Sequence, residues 1–370
     1  MTLSLTNIDL RHMRTALALA RRGLGNVWPN PSVGCVLVRE DLDGRIVGRG
    51  WTQPGGRPHA ETEALRRASK LAQGATAYVT LEPCSHIGKT EPCAVALLEA
   101  GISRVVASMA DPDPRVEGKG LLQLKAAGIE VSEGLLKLEA EELNAGFISK
   151  NKVGRPLVTL KVATTIDGYV ASRTGNSQWI TGIQARSHGH IVRARHDAIL
   201  SGIGTIEADN PLLTCRVNGL EHLSPIRVIM DTHGRLASGS AIVMSADKVP
   251  VWRYRGASRA PLMALPKVDD IPSPVGPDGR LMIAGIISDL VDRGITRLLV
   301  EAGPKLTTAF LKSGYVDRIH WYRSSGIMGE DGKAVINSLE IERLANLKKF
   351  HRLNTLPLGP DNLEIYTRLC

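Results

Sequence analysis

The chain has 370 residues, which is long for a single hydrophobic core, so its length predicts two domains. It is 43% hydrophobic and 22% charged, as is usual for a globular protein, and no apolar run approaches the ~18 residues of a membrane helix. The net charge of +9 could indicate nucleic acid, but the basic residues are scattered and aromatic residues make up only 4% of the chain. We therefore expect no nucleic-acid or membrane partner, and a positive field that attracts a phosphorylated small molecule.

The cysteines and the first residues both bear on the compartment. There are five cysteines, an odd number, which is typical of a reducing environment rather than of a disulfide framework. Residues 1–5 lack the apolar core of a signal peptide. We expect a cytoplasmic protein.

The first elements are a helix and a hairpin. The helix follows residues 7–9 and ends at a pair of glycines, and its apolar face is formed by Leu10, Met13, Leu17 and Ala20. A buried strand is predicted over 30–38. An Asp43-Gly44 turn then leads into a hairpin partner over 45–50.

The stretch 59–93 carries the strongest chemical signal. A catalytic zinc takes three nitrogen or thiolate ligands and keeps one position open, and His59, Cys84 and Cys93 supply such a set. Glu61 is then free to move protons, as in the H-x-E and Pro-Cys pattern of zinc deaminases. Taken singly, each residue could be a buried thiol or a core histidine. Their combination favours a catalytic zinc site.

Local patterns place these residues on elements. A helix begins at His59, with an apolar side formed by Ala60, Ala64, Leu65, Ala68 and Leu71. A buried strand over 77–81 ends just before Cys84. A second helix over 92–100 begins at Cys93, where a helix N-terminus favours the thiolate.

The first half closes with a strand over 104–109, a helix over 120–127 and a strand over 129–131. The order ββαβαβαβ predicts a three-layer sandwich, with helices on both faces of a largely parallel sheet.

These motifs resemble the cytidine-deaminase-like superfamily. The longer cysteine spacing in CSHIGKTEPC, and the run DPDPRVEGKG, resemble the deaminase half of the bifunctional riboflavin-biosynthesis family. The resemblance implies zinc-dependent deamination of a phosphoribosylated diaminopyrimidinone, with Glu61 as the proton carrier. It also implies substrate contacts from Asn30, His86 and Lys89. Thr52 stands where family members often have a histidine, which is a departure at one substrate contact.

The second half begins after the stretch 139–152, which is predicted to form a charged helix and then a polar link. The expected domains are 1–150 and 151–370. Strands are predicted over 154–163, 198–202, 226–231, 241–245, 297–301 and 318–322. Helices are predicted over 186–196, 281–293 and 305–311.

No G-x-G-x-x-G follows the first strand of this half, so a Rossmann fingerprint is absent from the sequence. Two other glycine turns, Gly202-Ile-Gly204-Thr205 and 301–307, lie at strand ends. Pro304 occupies a first helical position, which leaves the following amides available to an anion.

The strings LKVATTIDG, SQWIT, RARHDAILSGIGTIEADNPLLTCR and LLVEAGPKL resemble the reductase half of the same family. That half has a dihydrofolate-reductase-like fold and uses NADPH. The implied cofactor contacts are Ala163, Trp179, Thr205, Asp209, Thr232, Gly303, Pro304, Lys305, Leu306 and Thr307. The implied substrate contacts are Ser177, Arg193, Leu213, Arg216 and Glu301. The two arginines suit a phosphate, and Lys161 could help to protonate the opened sugar.

The fold class is thus α/β, a cytidine-deaminase-like sandwich followed by a dihydrofolate-reductase-like domain. The expected reactions are deamination of 2,5-diamino-6-(5-phosphoribosylamino)pyrimidin-4-one and reduction of the ribose of 5-amino-6-(5-phosphoribosylamino)uracil. The expected assembly is a homo-oligomer, either a dimer or a tetramer. Two alternatives stay open: a tRNA or nucleotide base deaminase with an appended domain, and a binding protein with a structural zinc module.

Overall fold

The computed structural model describes residues 5–86, 91–114, 116–257 and 264–369. The chain forms two compact units, Met1–Arg155 and Pro156–Cys370. The boundary expected after residue 150 falls inside a helix, Ala145–Val153, that belongs to the first unit.

The first unit alternates helices with the strands of one sheet. Its helices are α1 (Asn7–Ala20), α2 (Ala60–Ala68), α3 (Cys93–Glu99), α4 (Lys119–Ala126), α5 (Lys137–Leu143) and α6 (Ala145–Val153). Its strands are β1 (Gly34–Arg39), β2 (Arg45–Trp51), β3 (Thr76–Val79), β4 (Arg104–Ala107) and β5 (Glu130–Glu133). The predicted element order is confirmed.

The sheet of the first unit is mixed, and the expectation of a largely parallel sheet is wrong. Across the described part of this unit the strand order is β2-β1-β3-β4-β5. Strand β1 is antiparallel to both β2 and β3, whereas β3, β4 and β5 are mutually parallel. Strands β1 and β2 are antiparallel because a tight hairpin turn at Asp43, which has a φ of 55°, connects them. Strands β3, β4 and β5 are parallel because the helices α3 and α4 connect them as crossovers.

Two glycines allow helices to lie directly on this sheet. A Cβ at Gly34 would come within 1.9 Å of the Ala16 carbonyl oxygen of α1, and one at Gly50 within 2.0 Å of the Ala60 carbonyl oxygen of α2. No real Cβ fits at such distances, so any side chain would push these helices away from the sheet. Gly50 therefore sets the position of the helix that begins after His59.

Two details of the first unit differ from the predictions. Helix α2 ends at Ala68, so Leu71 falls in a following 3-10 turn and is 44% exposed rather than on an apolar face. The predicted charged helix and polar link are in fact two helices, α5 and α6, that meet at Asn144. The side chain of Asn144 is buried and bonds the backbone of Ser32, which holds this segment on the unit.

The second unit is built on a larger sheet. Its strands are β6 (Leu157–Thr164), β7 (Tyr169–Ala171), β8 (Ala198–Gly202), β9 (Ile226–Met230), β10 (Val251–Gly256), β11 (Val268–Ser273), β12 (Arg297–Val300), β13 (Arg318–Arg323), β14 (Lys333–Ala334), β15 (Phe350–Leu358) and β16 (Asp361–Arg368). Its helices are α7 (Ile183–Ala194), α8 (Ile203–Asp209), α9 (Ala241–Met244), α10 (Ile283–Asp292) and α11 (Pro304–Ser313). In the described residues the main sheet runs β11-β10-β9-β8-β12-β6-β13-β16-β15, and β14 pairs with β7 separately.

In the described part of the main sheet, the strands from β11 to β13 are parallel, and β16 runs antiparallel to both of its neighbours, β13 and β15. The carboxyl ends of the parallel strands therefore share one edge, where ligands bind in open α/β sheets. Within the described chain, none of the helices is long and apolar enough to cross a membrane.

The strand predicted over 241–245 is wrong, because the structure has the short helix α9 there. Ile242 and Val243 of this helix are buried in a hydrophobic cluster of the second unit. A short apolar run of this kind does not distinguish a strand from a helix in the sequence. The strands β10, β11, β15 and β16 were not predicted. Their polar and charged residues weaken the hydrophobic alternation by which strands are usually recognised.

Candidate active sites

Three ligand-type side chains meet in the first unit. The candidate ligand atoms of His59, Cys84 and Cys93 all lie within 4.8 Å of one another. The Nδ1 atom of His59 is 3.2 Å from Cys93 Sγ and 3.6 Å from Cys84 Sγ. Tetrahedral zinc with its usual bond lengths places such atoms about 3.5–3.8 Å apart. The donor set and its spacing therefore fit zinc.

The local chain order explains this convergence. His59 is the N-cap of α2, Cys84 follows the end of β3, and Cys93 is the first residue of α3. Among the described residues the cluster has three members and no fourth ligand. A structural zinc site is closed by four protein ligands, whereas a catalytic site keeps one position open. The site therefore favours catalysis over the structural-module alternative.

Glu61 lies beside the ligands on the first turn of α2. It is 4% exposed, and its carboxyl group interacts with the Cys93 thiol. Burial raises the pKa of Glu61 to about 7. A carboxyl group that titrates near neutral pH can both accept and return a proton, which is the role expected from the sequence.

The thiolate is favoured at a different cysteine from the one predicted. The Cys93 thiol and then His59 lower the pKa of Cys84, and the backbone amide of Cys93 also donates to Cys84 Sγ at 3.3 Å. The pKa of Cys93 itself is raised, first by its bond to Cys84 and then by burial. The amide at the start of α3 thus acts on the neighbouring thiol rather than on its own residue.

Glu82 is a buried residue that the sequence analysis missed, and it holds the segment that carries Cys84. Its carboxylate accepts hydrogen bonds from the backbone amides of Asp111, Gly118 and Gly120, at 3.0, 2.8 and 2.8 Å. This arrangement gives the DPDPRVEGKG run a physical role, because its backbone amides hold Glu82 and so fix the segment that leads into Cys84. Gly120 is also required there, since a Cβ would come within 2.0 Å of the Pro83 carbonyl oxygen.

The predicted substrate contacts of this unit, and Thr52 beside them, differ from one another in burial and in hydrogen-bond partners. Asn30 is half-buried with its amide against Gly56, and the half-buried His86 has an Nδ1 without a partner among the described atoms. Lys89 lies outside the described residues. Thr52 is buried and accepts the Val33 amide at 2.9 Å while donating to the Pro31 carbonyl oxygen. Thr52 therefore braces the backbone beside Asn30 instead of replacing a histidine contact.

The second unit contains a cavity of about 1700 Å³ at the carboxyl ends of its parallel strands. Pockets for small ligands commonly measure about 300–1000 Å³, so this one has room for two ligands. Its described lining carries eight Lys and Arg residues against three acidic ones: Lys161, Arg186, Arg193, Arg216, Arg235, Arg280, Lys305 and Lys333, against Asp209, Asp278 and Glu301. The cavity is therefore suited to anionic ligands.

Nearly all of the contacts expected in this half line the cavity: Ala163, Ser177, Trp179, Arg193, Thr205, Asp209, Leu213, Arg216, Thr232, Glu301, Gly303, Pro304, Lys305 and Leu306. Thr307 does not, because its side chain is buried and its hydroxyl donates to the Ala302 carbonyl oxygen at 3.2 Å. Gly303 is the N-cap of α11 and Pro304 its first residue, which leaves the amides of this helix end directed at the cavity.

A partly buried cluster of charged side chains lines the cavity. Arg193 donates through Nε and Nη2 to both carboxylate oxygens of Glu301, at 2.8 and 2.9 Å, and Lys161 Nζ lies 3.8 Å from Glu301. Burial alone would raise the pKa of Glu301, but Arg193 and Lys161 lower it to about 2. Burial lowers the pKa of Lys161 despite this carboxylate, which makes its ammonium group a better acid.

Arg193 is less free to hold a phosphate than its sequence context indicates. A third bond, from Nη1 to the Thr214 carbonyl oxygen at 3.1 Å, leaves few of its donors unused. Arg216 is more exposed and has one contact in the described structure, with His190. His190 and Tyr322 also line the cavity and were not predicted, because a lone His or Tyr on a helix or strand gives no sequence signal.

Two family models match the chain. Residues 6–109 match the cytidine and deoxycytidylate deaminase zinc-binding region, and residues 156–361 match the RibD C-terminal domain. Together with the ligand cluster and the basic cavity, these matches define a zinc deaminase domain followed by a second α/β enzyme domain.

Full-length relatives name the combination. The riboflavin biosynthesis protein RibD of Escherichia coli K12 is 40% identical over 95% of this chain and 97% of its own length. A crystal structure of Acinetobacter baumannii RibD has a TM-score of 0.87 at 36% identity, covering 98% of this chain and 99% of that one. A Thermotoga maritima diaminohydroxyphosphoribosylaminopyrimidine deaminase/5-amino-6-(5-phosphoribosylamino)uracil reductase has a TM-score of 0.86 at 35% identity, covering 98% and 99%.

The chain belongs to the RibD family, the bifunctional deaminase–reductases of riboflavin biosynthesis. This membership confirms the expected fold class and the pairing of the two activities. It also sets aside the reading as a tRNA or nucleotide base deaminase, because the relatives match over both units.

Proposed function

We propose that the first unit deaminates 2,5-diamino-6-(5-phosphoribosylamino)pyrimidin-4-one with the help of zinc. In this proposal the second unit reduces the ribose of 5-amino-6-(5-phosphoribosylamino)uracil with NADPH. The observation that carries the proposal is the convergence of His59, Cys84 and Cys93 beside the buried carboxyl group of Glu61. The printed activities of the Thermotoga relative support the same pair of substrates.

In the deamination, His59, Cys84 and Cys93 would hold the zinc, which when bound supplies the Lewis acidity that makes water a nucleophile near neutral pH. Glu61 takes a proton from the attacking water and returns one to the departing amine, so that ammonia leaves. Such proton transfer is typically worth about 10²–10⁴ in rate. Asn30, His86 and Lys89 are the proposed contacts to the pyrimidine and its substituents.

In the reduction, the proposed cofactor contacts are the N-terminus of α11, from Gly303 to Leu306, and five residues at the strand ends and loops of the cavity: Ala163, Trp179, Thr205, Asp209 and Thr232. NADPH, when bound, supplies the hydride for C1′ of the ribose. Opening of the sugar ring requires a proton on O4′, and Lys161 is the proposed donor, with Glu301 beside it. Ser177 and Leu213 are proposed to contact the substrate, and Arg216 its phosphate.

We also propose a cytoplasmic location and a homo-oligomer, either a dimer or a tetramer. Cys35, Cys84, Cys93 and Cys215 are unpaired, which is typical of a reducing compartment. The nine-residue strand β15 lies mostly exposed at one edge of the main sheet, and the unpaired backbone groups of such an edge can pair with another copy. Light scattering of the purified chain would measure the assembly directly.

The proposed function is tested by supplying the diaminopyrimidinone phosphate and following ammonia release and NADPH loss separately. We expect Glu61→Gln to keep its zinc, measured by mass spectrometry, and to lose ammonia release by about 10²–10⁴. Reduction of already deaminated substrate should be unchanged. The matched control is Glu63→Gln on the same helix, since that carboxylate pairs with Arg66 and Arg67 instead. Ammonia release at the normal rate from Glu61→Gln would refute the role of this residue.

A further inference from the structure

Two basic side chains share one backbone carbonyl group in the reductase cavity, and a third lies beside them. His190 and Arg193 lie one turn apart on α7, and both contact the Thr214 carbonyl oxygen, from Nδ1 and Nη1, at 3.1 Å each. Arg216 follows two residues later in the chain, and its Nη2 lies 3.5 Å from His190 Nε2. All three side chains line the cavity.

The charges around this point are unbalanced. The charged groups that face His190 are Arg193, Arg216 and Glu301. Glu301 is already paired with Arg193 and Lys161. Counting Lys161, Arg193 and Arg216 against Glu301 leaves an excess of two positive charges, and a phosphomonoester carries about −1.5 to −2 at neutral pH.

The tautomer of His190 follows from its contacts. A carbonyl oxygen only accepts hydrogen bonds, so Nδ1 carries a proton and donates it to Thr214. In the neutral ring, Nε2 therefore has a lone pair, which faces Arg216. Burial, followed by Arg193 and Arg216, lowers the pKa of His190, so the ring is neutral in the free protein near neutral pH. An anion placed at Arg216 would reverse this electrostatic effect and let Nε2 donate as well.

We propose that His190 is a ligand of the substrate phosphate in the reductase site and takes up a proton from solvent when the phosphorylated substrate binds. The proposal rests on the proposed function, in which Arg216 holds the phosphate. It adds a pH-dependent ligand, whose own contribution to the affinity for the phosphorylated substrate increases as the pH falls. That added affinity is lost as the pH rises through the pKa that His190 has in the complex.

The direct test is a pH titration of the histidine Cε1–H resonances in the full-length chain. The probes are 5-amino-6-(5-phosphoribosylamino)uracil and its dephosphorylated counterpart, with NADP⁺ present so that no hydride can be transferred. His190→Gln identifies the resonance. We expect the pKa of His190 to rise by about 1–3 when the phosphorylated compound binds, because an opposite charge nearby favours the charged form of a group. With the dephosphorylated compound, the pKa of His190 should not change.

Kinetics provide the second test. His190→Gln should raise the KM for the phosphorylated substrate about tenfold at pH 6, with kcat within about twofold, because one charge-assisted hydrogen bond is lost. The two enzymes should converge at pH 8.5. The control is His222→Gln, since His222 is exposed in the 3-10 turn Glu221–Leu223 and does not line the cavity.

The outcomes separate the two proposals. If the wild-type chain does not oxidise NADPH with this substrate, the proposed function fails. If it does, but the pKa of His190 is unmoved or moves equally with both compounds, only the phosphate role of His190 is wrong. An unchanged KM in His190→Gln would also overturn that role.

Discussion

Asp9 offers a quantitative test of what stabilises the deaminase unit. Its buried carboxylate closes the capping box of α1 by accepting the Thr6 amide at 2.8 Å and the Thr6 hydroxyl at 2.9 Å. It also accepts the Tyr78 hydroxyl at 2.7 Å and an Nη1–H of Arg104 at 2.8 Å. One carboxylate thus joins the first helix to β3 and β4.

The magnitude follows from its ionisation. Burial alone would raise the pKa of Asp9, but Arg104, followed by Thr6 and Tyr78, lowers it from 3.8 to about 2. This difference corresponds to about 2 kcal/mol of stability. The loss of a buried pair can cost about 3–5 kcal/mol, but Arg104 keeps Glu130 2.9 Å away, which supports the smaller figure. We therefore expect Asp9→Asn to lower the free energy of unfolding by about 2 kcal/mol at pH 7.

The pH dependence has a definite sign. Because the pKa is depressed in the folded state, the stabilisation is present above 3.8 and is lost as the pH falls through about 2. The difference between wild type and Asp9→Asn should narrow by about 1 kcal/mol between pH 5 and pH 3.

The assay must report on the first unit of the full chain. Met13 is buried on α1, so its oxidation by peroxide as a function of urea, read by mass spectrometry, gives the unfolding free energy of this unit. The control is Asp41→Asn, because Asp41 pairs with Arg39 but has a side chain 59% exposed, so the stability of this variant should stay close to that of wild type. Equal stability of Asp9→Asn and wild type at pH 7, or a difference that does not narrow at pH 3, would refute the reasoning.

Three further predictions concern the two sites. Arg216→Ala should raise the reductase KM about tenfold or more through loss of a charge-assisted hydrogen bond, with ammonia release unchanged; unaltered reductase kinetics would remove the phosphate assignment. Gly50→Ala should cost about 3 kcal/mol and lower the zinc content per chain, because its Cβ would strike the carbonyl oxygen of Ala60, the first residue of α2, which directly follows the ligand His59. The exposed Gly239 has open space around its Cα, so Gly239→Ala should retain full zinc and near-normal stability, and equal zinc content in both variants would contradict the argument. Removal of zinc by a chelator should abolish ammonia release but leave NADPH oxidation with deaminated substrate intact, and parallel loss of both activities would show that the sites are not separate.

The deaminase site was largely readable from local patterns. The His59–Glu61 pair, the Pro-Cys pair and Cys93 are each tied to a helix start or a strand end, and such positions are determined by nearby residues. Which cysteine carries the lowered pKa was not readable. That property depends first on the Cys93 thiol and then on His59, which lie nine and 25 residues from Cys84 in the chain and meet it only in the folded unit.

The reductase cavity was predicted as a set of residues but not as an electrostatic arrangement. In the sequence, Arg193 and Arg216 are equivalent candidates for the phosphate ligand. Arg193 forms an ion pair with Glu301, which is 108 residues away in the chain, so most of its donors are used within the protein. Arg216 is exposed and contacts only His190 among the described residues, so it remains available to a phosphate. The contact of His190 with Thr214 is also non-local, since it joins a helix to a loop that lies 24 residues further along the chain.

The order of elements, the candidate zinc ligands and the glycine turns of the second half were predicted from the sequence alone, because each of these residues lies at a helix start or a strand end that its near neighbours determine. The tertiary structure decided the mixed direction of the first sheet, the helix at 241–244, the bracing carboxylate of Glu82 and the division of labour between the two arginines. These features depend on groups that are far apart in the chain and meet only after folding, where burial and neighbouring charges determine which groups are paired and which remain available to a ligand.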